Sequence, residues 1–421
     1  MMKFSLLILS LALFNISKAQ DDYKLAEMNK ASVKKQDNPK HKDPKNTKVN
    51  DIKKDDDDKD DTLKPADDSN PFTLIRKNDA TSIKNQAITG TCWCFSSTSL
   101  LESMCLKKDL GEYDISEMFT VRNIYVEKAR NYILRQGHAQ FGQGGLGHDL
   151  IRAVATYGAV PESIYSGLKP GQKMHNHVKL EKDLKVYLDY VLKTTPLQPG
   201  WINGYTKILD SALGVPPTTF EYLSTVYTPK SFAKDLLKFN PDDYVNITSF
   251  THHPYYEPFV IEVPDNFSNG AYYNLPLNEM IQQVKYALKA GYTVLWDADV
   301  SNRGFMQDRG IAMQFDPFVN LKGNPKELMN GNMEEMKWDA DIRQKLFEDL
   351  TTQDDHLMHI TGMETSSTGK IFFLVKNSWG DIGPAHGYIN VSEAYLAINT
   401  ISLIIPKAAL SNSLLEKLKI K

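Results

Sequence analysis

Hydrophobic and polar positions divide the chain into contrasting regimes. A predominantly apolar run, Phe4 to Phe14, follows Met1-Met2-Lys3 and leads into Asn15-Ile16-Ser17-Lys18-Ala19-Gln20. From Gln20 to Asn70 apolar residues are sparse, and Asp, Lys, Asn and Pro dominate, ending near the run Lys53-Lys54-Asp55-Asp56-Asp57-Asp58-Lys59-Asp60-Asp61. Folded sequence is expected from about Phe72. Helical periodicity predicts helices over 93–107, 115–135, 148–157, 229–239 and 277–289, the last closed by Gly291. Strands are predicted over 292–296, 356–363 and 371–375, the last two joined by Ser366-Ser367-Thr368-Gly369. No internal repeat is present.

The terminal regimes carry their own expectations. A basic start, a short apolar centre and a Ser-x-Ala exit read as a secretory signal peptide over 1–19. The apolar run, about eleven residues, falls short of the roughly 20 a bilayer requires, so no stable membrane anchor is expected. The protein is therefore expected to be exported, to the periplasm or the extracellular space. Residues 20–70 bury too little apolar surface to offset ordering and read as a disordered charged linker, unsuited to acting as an inhibitory pro-segment.

In 421 residues, 41% hydrophobic and 10% aromatic, a substantial core can form. A net charge of −3 gives no electrostatic reason to expect nucleic acid as a partner. The three cysteines, Cys92, Cys94 and Cys105, crowd into one stretch. If that stretch is helical, Cys94 and Cys105 stand about 16 Å apart, beyond disulfide reach. No disulfide framework is expected despite export. On the helix Cys94 and Cys105 fall within the apolar stripe with Leu100, Leu101 and Met104, as small buried hydrophobes.

Cys92 differs in position. It follows the loop Thr89-Gly90-Thr91 and opens the helix, where the N-terminal dipole favours a thiolate, the nucleophilic form of cysteine. A thiolate needs a base to hold and return a proton, and histidine is tuned for that. Among ten histidines, His356 and His359 lie in a predicted strand. A turn centred between Ser367 and Thr368, without a bulge, sets His359 opposite Lys376 and His356 opposite Trp379, with Asn377 the diagonal neighbour of His356. The pairing selects His356 with Asn377 and leaves His359 on the other face. One bulged residue would reverse that choice. His252-His253 shows no surrounding ligand cluster, so neither a metal nor another cofactor is expected.

Gln86, Gly90, Cys92, Trp93 and Phe95 resemble the Gln-x-x-x-Gly-x-Cys-Trp-x-Phe signature of papain-like cysteine peptidases. His356 to Gly362, and Lys376-Asn377-Ser378-Trp379-Gly380, are similar to that family's histidine strand and Lys-Asn-Ser-Trp-Gly motif. The resemblance implies an α+β, papain-like two-lobed core, a helical lobe against an antiparallel β lobe. It implies that Cys92, His356 and Asn377 form a triad, that Gln86 completes the oxyanion hole with the Cys92 N–H, and that Trp379 shields the His–Asn bond. Gly144-Gly145 resembles the glycine pair lining the substrate cleft, though an ordinary loop leading into a helix would look the same.

His356 follows Cys92 by roughly 260 residues, against about 130 to 150 in ordinary papain-type enzymes. The excess is expected as a helical insertion domain over 169–272, with the peptidase core over 71–168 and 273–407 and a tail over 408–421. That layout, with Tyr227-Thr228-Pro229-Lys230, Tyr273-Asn274-Leu275-Pro276 and Asp299-Val300, resembles the bleomycin hydrolase and aminopeptidase C branch. The resemblance implies an aminopeptidase acting on peptides, assembled as a homo-hexamer, with its own C-terminus in the cleft to meet the substrate amine. The tail Leu414-Leu415-Glu416-Lys417-Leu418-Lys419-Ile420-Lys421 is amphipathic and basic rather than slim, which keeps an exported endopeptidase open as the alternative.

Overall fold

The structure, a computed structural model, describes residues 71–321 and 325–420. The expected signal peptide and the whole of the expected linker lie outside the described residues. Leu74 onwards forms one compact unit.

Five helices make one layer: α1 (Cys92–Lys107), α2 (Glu117–Leu134), α3 (Gly147–Tyr157), α4 (Val178–Val191) and α5 (Trp201–Leu213). A sixth, α6 (Leu277–Lys289), lies apart from them. α2 begins after Ser116, whose Oγ accepts the Phe119 N–H at 3.1 Å and so fixes the start two residues later than periodicity suggests. α1 is buried from Cys92 to Cys105 around its whole circumference, including Ser96, Ser97, Ser99 and Glu102, so it is a central helix and not an amphipathic one.

Apart from a small separate hairpin, Phe220–Tyr222 with Thr225–Tyr227, the strands are β1 (Thr73–Lys77), β2 (Tyr244–Thr248), β3 (Pro258–Val260), β4 (Ala271–Asn274), β5 (Val294–Ala298), β6 (Phe305–Met306), β7 (Ile311–Ala312), β8 (His356–Thr365), β9 (Ile371–Lys376), β10 (Tyr388–Ser392) and β11 (Thr400–Pro406). They join in one sheet of order β3-β4-β2-β11-β5-β8-β9-β10-β7-β6, with β1 alongside β8. β5 starts at Val294 and not at Tyr292, because the Tyr292 N–H closes the α6 terminus on Ala287 O and Asn78 Nδ2 takes the Tyr292 carbonyl.

Alternation along the central strands gives the sheet two apolar faces. Leu295, Leu357 and Ile404 pack with α1 to α5, whereas Trp296, Ala298, Met358, Ile360 and Leu403 pack with α6. Residues 169–272, expected as an insertion domain, lie within the same compact unit. Leu180, Leu184, Leu188, Tyr205 and Leu209 of α4 and α5 share the core of α1, and β2, β3 and β4 extend the main sheet. The predicted helix 229–239 is a single turn at Pro229–Ser231 running into a π-helical turn at Phe232–Leu236.

The C-terminal segment takes a course other than the one the resemblance implies. A short helix, α7 (Asn412–Lys417), docks on α6: Gln283 bridges the Ala409 carbonyl and the Ser411 N–H, and Lys417 pairs with Glu279 at 2.7 Å. Leu410, Leu414 and Leu418 are buried in the α6 core, so residues 407–420 sit on the face of the sheet turned away from α1. Three apolar contacts outweigh any tendency of this amphipathic tail to extend. No described helix is long and apolar enough to cross a membrane.

Candidate active site

Cys92 is the first residue of α1, so its N–H is among the donors that have no partner inside the helix. Thr91, the cap, gives those donors no side-chain acceptor: its Oγ1 bonds Thr89 Oγ1 at 2.6 Å instead. The thiol is 8% exposed and lies against the start of β8, where the Leu357 backbone N–H favours the thiolate. One turn along α1, Ser96 Oγ donates to the Leu357 carbonyl, tying the helix to the strand that carries His356.

The β8–β9 hairpin sets His359 opposite Lys376 and Ile360 opposite Val375, whereas nearer the turn Gly362 faces Leu374 and Thr365 faces Ile371. The turn is thus centred on Thr368, half a residue later than expected, and a bulge at Thr361 restores the register beyond it. The bulge is where β1 crosses: Asn78 N–H donates to Thr361 O, and a Cβ on Gly362 would strike the Arg76 carbonyl. At the hairpin's far end His356 Nε2 lies 2.7 Å from Asn377 Oδ1. Because that oxygen only accepts, Nε2 carries the proton and Nδ1 keeps its lone pair. Asn377 Oδ1 also accepts the Ser378 N–H at 2.7 Å, and its Nδ2 donates to Gln307 Oε1 at 2.9 Å, which fixes which end of the amide faces the imidazole. The Trp379 ring covers His356 at 4.6 Å between centroids.

Gln86 is 1% exposed; Ser378 Oγ donates to its Oε1 at 2.6 Å, and its Nε2 donates to Thr89 O at 2.7 Å. That bond uses one of the two Nε2 protons and ties Gln86 to the loop three residues before Cys92. Gly145 packs on the Trp93 indole. Gly144 does not offer an open floor to a peptide: the Asp265 carboxylate occupies the space its Cβ would take, and the Gly144 carbonyl accepts from buried Lys128.

Burial dominates the electrostatics. It pushes the Cys92 thiol up to about 12, aided by Asp354, Asp297 and Asp265 and opposed by the Leu357 N–H. It pushes His356 down to about 4 against the raising effect of Asn377. The ligand-free pair is therefore neutral thiol and neutral imidazole; desolvation outweighs the thiolate expected from the helix N-terminus alone.

His359 points the other way, into the α1 interface, where Lys376 Nζ donates to Ser99 Oγ at 2.7 Å and Ser99 meets His359 Nδ1 at 2.9 Å. Burial keeps His359 neutral. Cys94 and Cys105 are buried and free. The fold brings Glu262 to His252 and His253, a carboxylate the sequence did not place there. Gln344, oriented by the Thr251 N–H on its Oε1, donates to His252 Nδ1, so His252 Nε2 carries a proton toward Glu262 and has no lone pair for a cation.

Gln307, Asp297 and Asp265 escaped sequence reasoning, because each reaches the site through tertiary packing; Asp354 stands two residues before His356 but carries no motif of its own. The Peptidase C1-like family model matches residues 200–421, more than half of the chain. The chain belongs to the Peptidase C1-like family. This C1-like chain is 22% identical over 372 residues to aminopeptidase C of Streptococcus thermophilus, covering 77% of this chain and 80% of the relative. It is 23% identical to aminopeptidase G of Lactobacillus delbrueckii subsp. lactis, covering 80% and 83%. The crystal structure of pepw from Lactobacillus rhamnosis hn001 superposes with TM-score 0.64 at 21% identity, covering 82% of this chain and 84% of that one, which shows a shared papain-like α+β fold. The resemblance to the bleomycin hydrolase and aminopeptidase C branch is borne out.

Proposed function

We propose that this C1-like peptidase is a thiol aminopeptidase that cleaves the first peptide bond of peptides with a free N-terminus, through Cys92, His356 and Asn377 and a covalent acyl-enzyme. The carrying observation is the 2.7 Å bond from His356 Nε2 to Asn377 Oδ1 at the mouth of the Cys92 helix. It leaves Nδ1 as the basic nitrogen. As the sulfur attacks the scissile carbonyl, the thiol proton passes to Nδ1 and the S–C bond forms. The carbonyl electron pair moves to oxygen, facing the Cys92 N–H and the spare Gln86 Nε2 proton. Collapse breaks the C–N bond while His356 returns its proton to the leaving amine; water then attacks the thioester, His356 again taking and returning the proton.

Named aminopeptidases among the relatives support the free-amine substrate. Cys92→Ala and His356→Ala should each abolish hydrolysis in a folded protein. Wild type should release residues singly from a free peptide and ignore its N-acetylated form; internal cleavage of the acetylated peptide at an equal rate would make it an endopeptidase. Export and homo-oligomeric assembly belong to the same proposal, to be read from the N-terminus of secreted protein and from light scattering.

A further inference from the structure

An aminopeptidase has to hold an ammonium group only one Cα away from the carbonyl its thiol attacks, so the counter-ion must sit beside the thiol. The described C-terminal residues 407–420 lie on the far face of the sheet. The anions that act on Cys92 come from the wall of the cleft, from Asp354, Asp297 and Asp265.

Asp297 is paired across strands with Leu357 and shares its face, the one meeting α1. It is 1% exposed; Oδ2 accepts from Ser402 Oγ at 3.0 Å, while Oδ1 meets no protein donor. Half-buried Asp354, two residues before His356, faces Asp297 carboxyl to carboxyl, and its Oδ2 is likewise buried without a donor. Two such oxygens facing each other require either a shared proton or a cation that brings N–H groups. Burial raises both carboxyls: Asp297 to about 7, against the hydrogen bonds from Asp354 and Ser402 and with Asp265 adding, and Asp354 with the charges of Asp297 and Asp265 adding, so in the empty site a proton between the two fills that role. Beyond the pair, Asp265 lies on Gly144, where a longer peptide would otherwise continue.

We infer that Asp297 and Asp354 form the subsite for the free α-ammonium of the substrate, with Asp265 over Gly144 closing the cleft behind it. This rests on the aminopeptidase reading and assigns its selectivity to the cleft wall. A primary ammonium has the donors the two empty oxygens lack, whereas an acetylated amine offers one uncharged N–H and a methyl group that collides with the pair.

The test compares an aminoacyl methylcoumarin amide with its N-acetyl form on the full chain. Wild type should prefer the free amine by at least about 100-fold in kcat/KM, and Asp354→Asn should cut that preference about tenfold or more, mainly through KM. A merely structural role would lower both substrates alike and leave the preference intact. On wild type, an amino-acid amide should protect Cys92 from iodoacetamide at concentrations where its N-acetyl form does not, which keeps the inference testable if the variants fail to fold. Equal protection by the two amides overturns it, as does an unchanged preference in folded Asp354→Asn and Asp297→Asn. A wild type indifferent to acetylation would instead bring down the aminopeptidase reading, and this inference with it.

Discussion

Replacing Asn377 by alanine separates aiming the base from making the bond. The substitution removes two accepted hydrogen bonds, from His356 Nε2 and the Ser378 N–H, and one donated to Gln307. All four residues are at most 5% exposed. Leaving three buried polar groups unpaired costs about 1–3 kcal/mol each before a water entering the amide-sized gap recovers part, so a net loss of about 2–4 kcal/mol in stability is expected. The catalytic share is smaller. A bond to neutral imidazole contributes about 0.5–1.5 kcal/mol and one to imidazolium about 1.5–3, so roughly 1–1.5 kcal/mol of transition-state stabilisation disappears. With the ring also free to swing, kcat/KM should fall about 10- to 100-fold, measured with a free-amine coumarin substrate on protein shown folded by thermal melting. Gln307→Met should cost only a few-fold, and that cost should vanish in the Asn377→Ala background, because Gln307 acts through Asn377. An Asn377→Ala enzyme within twofold of wild type would refute the orienting role, and additive losses in the double variant would refute the chain from Gln307.

Two further outcomes concern the tail and the carboxyl pair. Deleting residues 411–421 exposes the α6 face and removes buried Leu414 and Leu418, about 1.5–3 kcal/mol each, so Tm should fall by roughly 6 °C or more. Selectivity for free N-termini should persist in the truncated protein; appearance of internal cleavage would show that the tail works in the cleft. Asp297 has its folded pKa raised to about 7, above the usual carboxyl value near 4, so the protonated form stabilises the fold below that lower value and the contribution is lost as pH rises toward 7. Asp297→Asn should therefore raise Tm relative to wild type more at pH 8 than at pH 4.5, by at least about 2 °C in thermal melts; an equal difference at both would contradict the buried pair.

Elements with strong local signals were legible, and their failures were physical. The helices 277–289 and 148–157 emerge within a residue of their periodic span, because apolar spacing and a closing glycine act locally. The register that sets His359 opposite Lys376 came from two errors that cancel, a turn centre half a residue late and a bulge at Thr361. Neither was visible, since the bulge answers to β1 crossing at Gly362, far away in sequence. The apolar stripe of α1 was legible, but not that its serine side is buried too, with Ser96 and Ser99 bonded to β8 and to Lys376. Gln307 lies 70 residues from the asparagine it holds. The tail's basic, amphipathic character was legible, but not that α6 offers it an apolar face.

These departures converge on the thiol. At the N-terminus of a helix a cysteine should favour its anion, yet in the empty cleft burial, Asp354, Asp297 and Asp265 hold the proton on sulfur. Above about pH 7, where the empty pair gives up its shared proton, an ammonium on the carboxyl pair balances the same oxygens that oppose the thiolate with a positive charge close to sulfur. Desolvation still opposes ionisation, but the carboxylate contribution is offset and the helix N-terminus acts against less resistance. An acetylated peptide brings no such charge and leaves the thiol as it is in the free enzyme. One pair of aspartates would then govern both which substrates bind and how readily Cys92 gives up its proton.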